Sequence, residues 1–196
     1  MEHCAVMSEN RIDQRIIEAC QQGDRDAFRL LFEAYKDRVY SIAFYFFSGD
    51  DASANDITQQ VFLKLITRVG QFRSDAEFAT WLYRLVTNAC MDEQRKRQRW
   101  ISFGEAVEVR GMVERRSQED RYIRLEVADS VRAAIAKLKP KLRMTVLLKY
   151  FEDLSYEEMA IVLGCSMGTV ASRLNRAHKI LARRLAHLRG ALQIGE

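Results

Sequence analysis

Between Leu154 and Leu188 the chain reads LSYEEMAIVLGCSMGTVASRLNRAHKILARRLAHL, and its spacing commits this stretch to two helices joined by a sharp turn. Ser155 and Glu158 have capping-box spacing, in which a serine oxygen and a glutamate carboxylate satisfy orphan amides at a helix start. Tyr156, Met159, Ala160 and Leu163 then form one apolar stripe, and Gly164 can take the left-handed conformation that ends a helix. Ser166 can cap a second helix whose apolar positions Val170, Leu174, Ala177, Leu181, Leu185 and Leu188 recur at helical spacing. Its other face carries Thr169, Ser172, Arg173, Arg176, Lys179 and Arg183, and no Asp or Glu occurs from Gly164 to Gly190. A basic stripe alone describes a solvated surface helix. A capped short helix, a glycine turn and an acid-free second helix together describe a helix-turn-helix whose second helix enters the major groove.

The rest of the chain is also built for helices, with a single proline in 196 residues, 48% hydrophobic and 30% charged content. Net charge is only +4, so any polyanion must be held by local patches rather than by the whole surface. No apolar run approaches the roughly 20 residues that span a bilayer, and the start MEHCAVMSEN lacks a signal-peptide pattern. No membrane insertion and a cytoplasmic location are expected. Cys4, Cys20, Cys90 and Cys165 are far apart with no CxxC pair, which indicates neither a zinc site nor a disulfide framework. His3 beside Cys4 is too little to predict a ligand set. No metal or cofactor is expected.

Periodicity predicts a short helix from Ile12 to about Gln22, closed by Gly23, and a long one from Arg25 to Phe47. A third spans Asp51 to Val69. Ser74 and Glu77 offer another capping box, opening a fourth helix that runs to about Arg97 and ends in the basic run RKRQR. From Gln98 to about Gln118 the periodicity fades, leaving Trp100, Ile101 and Phe103 as an apolar cluster that could pack on the first domain or serve a partner. Helical pattern resumes near Tyr122, and Pro140 opens the helix before the helix-turn-helix. The predicted fold is all-α: two small helical domains, residues 11–98 and 119–190, joined by a flexible linker over 99–118.

At this point three separate stretches share a resemblance. DITQQVFLKL, then Phe72-Arg73 followed by FATWLYRLVTNACMDEQRKR, then LSYEEMAIVLGCSMGTVASRLNRA together resemble the extracytoplasmic-function (ECF) subfamily of bacterial sigma factors. The resemblance covers roughly Ala27 to Leu188, in the family's order, with a linker where the family has one. It implies a promoter-specificity subunit whose first domain binds core RNA polymerase and opens the minus-ten element of promoter DNA, and whose second reads the minus-thirty-five element. It places the polymerase contact on the edge formed by Asp56, Gln59, Gln60 and Lys64, with Gln60 standing where many relatives have glutamate. It places minus-ten capture on Phe72, Arg73, Phe78, Arg84 and Asn88, with Arg95, Lys96 and Arg97 on neighbouring phosphates. These residues also have a logic of their own, since aromatic groups stack on unpaired bases while amides and guanidinium groups read base edges. Taken alone, Phe78 reads as core. Minus-thirty-five contacts fall to Thr169, Ser172, Arg173, Asn175, Arg176 and Lys179, with Ala171 replacing a frequent basic residue. An anti-sigma partner is implied by the family alone.

No glycine-rich phosphate loop, metal cluster or nucleophile constellation is present, so an enzyme is not expected. Two other classes fit parts of the pattern: a dimeric helix-turn-helix regulator acting without polymerase, and a protein-only adaptor bundle. A regulator would bind a palindromic duplex by itself, whereas a sigma factor needs core enzyme.

Overall fold

A computed structural model describes residues 14–73, 77–102 and 119–189. The described residues form eight α-helices and no strand: α1 (Gln14–Gln21), α2 (Arg25–Phe46), α3 (Asp51–Arg68), α4 (Phe78–Ser102), α5 (Glu119–Ala136), α6 (Pro140–Tyr150), α7 (Tyr156–Leu163) and α8 (Met167–Arg184). Their starts follow local chemistry. Asp24 accepts hydrogen bonds from the amides of Asp26 and Ala27 at 2.8 and 3.1 Å, capping α2, and Asp50 accepts from the Ser53 amide to cap α3. Pro140 supplies the first residue of α6, where its missing amide hydrogen costs nothing. The Ser155/Glu158 box is present in both directions, at 3.1 and 2.7 Å. Gly164 ends α7 at φ 59°, in the left-handed region. A Cβ added there would meet nothing within 4 Å, so the requirement for glycine is one of backbone conformation rather than space.

Several boundaries differ from the sequence expectation. α4 runs on through Ser102, so the helix enters the stretch read as linker, and Trp100 is 69% exposed instead of lying on the first domain. Ile101 and Ser102 continue that helix, whereas Phe103, Cys4 and the Ser74 of the second expected capping box lie outside the described residues. α8 stops at Arg184, where Leu185 leaves helical geometry (φ −100°, ψ 10°), and a 3-10 turn over Ala186–Arg189 returns Leu188 to a buried position. In α7 the buried stripe is Met159 and Val162. Tyr156, expected on it, is exposed because it occupies the first helical turn beside the cap.

Helices α1 to α4 form the N-terminal unit. α2 and α3 pack side by side, and α4 lies on α3. The Gln21 side-chain amide donates to the carbonyls of Val69 at 3.1 Å and Phe72 at 2.9 Å, tying α1 to the segment that leads into α4. Helices α5 to α8 form the C-terminal unit, with α6 and α7 packed on α8. One continuous apolar core nevertheless runs through both units. Leu31, Ile42, Phe46, Leu82 and Val86 from the first share it with Met144, Leu147, Leu148, Met159 and Val170 from the second. Each such fully buried side chain contributes about 1.5–3 kcal/mol relative to leaving it in water. Helix α7 packs on α4, and α6 packs on α2.

Candidate nucleic-acid interface

The helix-turn-helix geometry sets the basic face of α8. Ser166 caps α8 by accepting from the Thr169 amide at 3.2 Å, and its hydroxyl meets the Thr169 hydroxyl at 2.9 Å. Ser172 donates back to the Thr169 carbonyl at 2.9 Å. Val170, Leu174 and Ala177 are buried, which leaves Ser172, Asn175, Arg176 and Lys179 exposed and Arg173 half-buried on the outer side. Among the described residues neither Arg173, Arg176 nor Lys179 has a carboxylate partner within salt-bridge distance. Three unneutralised cations therefore sit along one helix face, with hydroxyls at its N-terminal end. That combination suits phosphate oxygens and base edges.

Helix α4 presents a second set. Leu82, Leu85, Val86 and Ala89 are buried, and Arg84, Asn88 and Arg95 come out on the far side. A cleft of about 1560 Å³ brings Arg84, Asn88 and Arg95 of α4 together with Arg173, Arg176 and Lys179 of α8, along with Lys137, Lys139 and Lys141 from the α5–α6 junction. No carboxylate lines it among the described residues. Like charges concentrated around a concave surface focus the field and favour a polyanion.

The loop before α4 behaves differently from the sequence expectation. Phe72 and Phe78 are only 7% and 5% exposed, and with Trp81 they close a three-ring cluster with centroid separations of 5.4 to 5.7 Å. Phe78 also meets Tyr35 of α2 at 5.8 Å. The two phenylalanines thus hold the loop from beneath, and exposed Arg73 stands above them. Arg97, expected on a phosphate, is occupied as well: it pairs with Asp50 and Glu93 at 3.3 Å, donates to the Ser53 hydroxyl and lies 4.6 Å from the Phe47 ring centre. It joins the end of α4 to the start of α3; burial pushes the Asp50 carboxyl up, and the Ser53 bonds together with Arg97 outweigh that and hold it below its usual range. Arg95 and Lys96 pair only with neighbours on their own helix, Asp92 and Glu93, and remain exposed. Exposed pairs of that kind are worth about 0.3–0.5 kcal/mol and yield readily to phosphate.

On α3, Asp56 and Gln59 are exposed and Gln60 and Lys64 half-buried, so the four do not form one open edge. Gln60 and Lys64 face the groove towards Arg95 and Lys96. Asp56 and Gln59 instead continue into Leu63 and Ile66, which are 58% and 54% exposed, making an amphipathic strip that the sequence reading missed. The signal was available: Leu63 and Ile66 fall about one and two turns beyond Gln59 on the same helical face.

Between the units lies a polar contact. The Tyr83 hydroxyl of α4 donates to the Glu152 carboxylate in the turn after α6, and Arg38 of α2 lies near both. Burial pushes the Glu152 carboxyl up to about 6, against the lowering effect of the Tyr83 bond and the Arg38 charge. Between pH 4.5 and about 6 the group therefore holds a proton in the folded chain that it loses in the unfolded one. Its contribution to stability is greatest below that window and declines through it as pH rises, by up to about 2 kcal/mol. Glu152→Gln removes the ionisation. Relative to wild type, the variant is expected to gain that amount between about pH 4.5 and about pH 7, measured by urea unfolding at both; a difference that does not change with pH would place Glu152 in water.

Residues 31–100 match the family described as Sigma-70 region 2, and residues 128–181 match Sigma-70, region 4. The chain is 32% identical to the ECF RNA polymerase sigma factor SigW of Bacillus subtilis over 88% of its own length and 96% of the relative's. It is 34% identical to the ECF RNA polymerase sigma-E factor of Escherichia coli over 89% of its length and 95% of that protein's. The chain belongs to the ECF sigma factors. Members of this family are DNA-binding transcription initiation factors and not enzymes. The fold agrees: the Bartonella quintana sigma factor RpoE, solved with the anti-sigma factor NepR, superposes with a TM-score of 0.68 at 22% identity over 81% of this chain and 96% of that one. CnrH, solved with the cytosolic domain of CnrY, gives 0.66 at 24% identity over 89% of this chain and 97% of that one.

In this ECF sigma factor, region 2 runs from within α2 to near the end of α4, and region 4 from within α5 into α8. The cleft therefore has one wall from each region. What sequence reasoning missed in the sigma factor is the set of residues between the walls, above all Arg143, Glu152 and Tyr83, whose partners are far away in sequence. No described helix is long and apolar enough to cross a membrane.

Proposed function

We propose that this sigma factor acts in the cytoplasm by joining core RNA polymerase through Asp56, Gln59 and the neighbouring Leu63 and Ile66, and by reading promoters with two separate surfaces. Arg173, Arg176 and Lys179, with Thr169, Ser172 and Asn175 beside them, read the minus-thirty-five element in the major groove. Arg73, Arg84, Asn88, Arg95 and Lys96 engage the minus-ten element, on a loop that Phe72 and Phe78 hold in place. In this reading the two phenylalanines and Arg97 support the surface without touching DNA. An exposed amide such as Asn88 can pair with the edge of an extruded base, and the adjacent guanidinium groups can neutralise its backbone. Melting then draws on capture of unstacked bases, with no nucleotide hydrolysis by this chain. The observation that carries the reading is the cleft in which Arg84 of α4 and the unpaired cations of α8 meet without a carboxylate among the described lining residues. A region-2 and region-4 architecture with such surfaces also suits a protein anti-sigma partner that covers them.

The test is transcription in vitro from a genomic fragment library by bacterial core polymerase with and without this chain, followed by mapping of start sites. New starts that share two spaced upstream elements are the expected result. A chain that creates no starts with active core, yet binds duplex DNA alone, would overturn the reading in favour of a polymerase-independent regulator. A chain that binds core without touching DNA would make it an adaptor.

A further inference from the structure

The proposed DNA contacts leave part of the basic cleft unused. A recognition helix reads base edges with its N-terminal residues. Arg183 and Arg184 stand instead in the last turn of α8, about 25 Å along its axis from the Ser166 cap at 1.5 Å per residue. Both are exposed and both line the cleft. The corner where α5 turns into α6 adds Lys137, Lys139 and Lys141, also exposed and also lining it. None of these cations has a salt bridge to a described residue. A small apolar cluster fixes the corner against the second half of α8: Leu138 and Val146 are buried with Ala177, and Leu142, Ile180 and Leu181 pack around them.

The backbone adds to this charge. Lys139 precedes α6 and makes no side-chain cap, and Pro140 follows it, so the positive end of this 11-residue helix opens on the cleft between the lysines. On the α4 wall, Thr87 is only 5% exposed and its hydroxyl has no hydrogen-bond partner. A hydroxyl left over in this way marks a wall that can donate to a further acceptor. The remaining lining narrows the ligand. Every charged lining residue among those described is Lys or Arg, and no aromatic ring is present. Ammonium and guanidinium groups hold phosphate oxygens by charge-assisted hydrogen bonds. An unpaired base is held by stacking on a ring, which this lining does not offer.

We propose that the α5–α6 corner and the end of α8 form a binding site for a linear chain of phosphate groups, as carried by a nucleoside triphosphate or by inorganic polyphosphate, and that the site reads the phosphates without the base. The site goes beyond the promoter reading and does not rest on it. Successive phosphates lie between the three lysines on one rim and Arg183 and Arg184 on the other, in a space of about 1560 Å³ that is ample for a small ligand.

The test is isothermal titration of the full chain, without magnesium, with inorganic tripolyphosphate, ATP, GTP, AMP and a hexaglutamate peptide. Tripolyphosphate, ATP and GTP are expected to bind within about threefold of one another, since no ring stacks on the base. AMP is expected to bind about tenfold or more weakly than ATP, and hexaglutamate not to bind in the same range. The triple variant Lys137→Gln/Lys139→Gln/Lys141→Gln is expected to lose about tenfold or more in tripolyphosphate affinity. Its helical circular dichroism should be unchanged, because all three side chains are exposed. Arg183→Gln/Arg184→Gln, on the opposite rim, is the second variant and should weaken binding in the same direction. Arg25→Gln/Arg29→Gln/Lys36→Gln removes as much charge from α2, away from the cleft, and should bind as wild type does. No binding of tripolyphosphate by wild type, or an equal loss in the α2 variant, would overturn the site. Tighter binding of one nucleotide than of tripolyphosphate would overturn recognition of phosphates alone. Hexaglutamate binding as tightly as tripolyphosphate would overturn the phosphate ligand in favour of an acidic peptide.

Discussion

Arg176→Ala is expected to lower the preference of the holoenzyme for its matched minus-thirty-five element about five- to hundredfold, as measured by competition between matched and scrambled duplexes. The residue is exposed on the outer face of α8, nearly three turns beyond the Ser166 cap, with no salt bridge to a described residue. A guanidinium in that position can approach guanine through two parallel hydrogen bonds, and such a contact discriminates by about 1–3 kcal/mol. A phosphate contact would weaken binding to all sequences alike and reduce the salt dependence by about one counterion. Equal loss on matched and scrambled duplexes would therefore exclude base reading by Arg176. The neighbouring Ala171 makes this dependence sharper: a small apolar side chain on the exposed face leaves the work of discrimination to Arg173, Asn175 and Arg176.

The second large effect concerns the core. Leu147→Ala removes a side chain with no solvent exposure from α6, where it packs in the same cluster as α2 and α4 residues. Truncations of this kind cost about 2–5 kcal/mol, the spread reflecting how far the surroundings collapse into the space. For a chain of this size that corresponds to a melting temperature lower by about 5–15 °C. Because Leu147 touches a core common to both units, thermal unfolding followed by circular dichroism is expected to show one transition that moves as a whole. Two transitions of which only the later-sequence unit shifts would show that the cores are separable.

Local chemistry made much of this protein legible from its sequence. The Ser155/Glu158 box, the left-handed Gly164 and the apolar spacing of α8 depend on residues a turn or two apart; the first two stand as the sequence predicts, and the third holds as far as Leu181, before the helix ends at Arg184. The all-helical architecture follows from the same short-range rules. Contacts across long sequence distances leave no such trace. Nothing near Arg143 announces that its partner is a carbonyl 97 residues away, and Tyr83 reads as one more aromatic until Glu152 is placed against it from 69 residues on. Phe72 and Phe78 show a different limit. Their composition fits base stacking as well as it fits a core, and only the positions of Tyr35 and Trp81 decide between the two. Arg97 shows a related limit: a basic run at a helix end resembles a phosphate grip, and its pairing with Asp50, at the start of another helix, leaves no trace in the local sequence.

The amide of Gln21 gives α1 a significance beyond its short length. By donating to the carbonyls of both Val69 and Phe72, this side chain braces the backbone on either side of the 3-10 turn Val69–Gln71, immediately before Arg73. The residues that precede the region-2 match are thus mechanical neighbours of the loop proposed for strand capture. A shortened protein cut at the start of the region-2 match would keep every proposed DNA-contacting side chain and still lose two of the fixings that aim them. Affinities measured on such a fragment would describe a slacker tool than the one the whole chain provides.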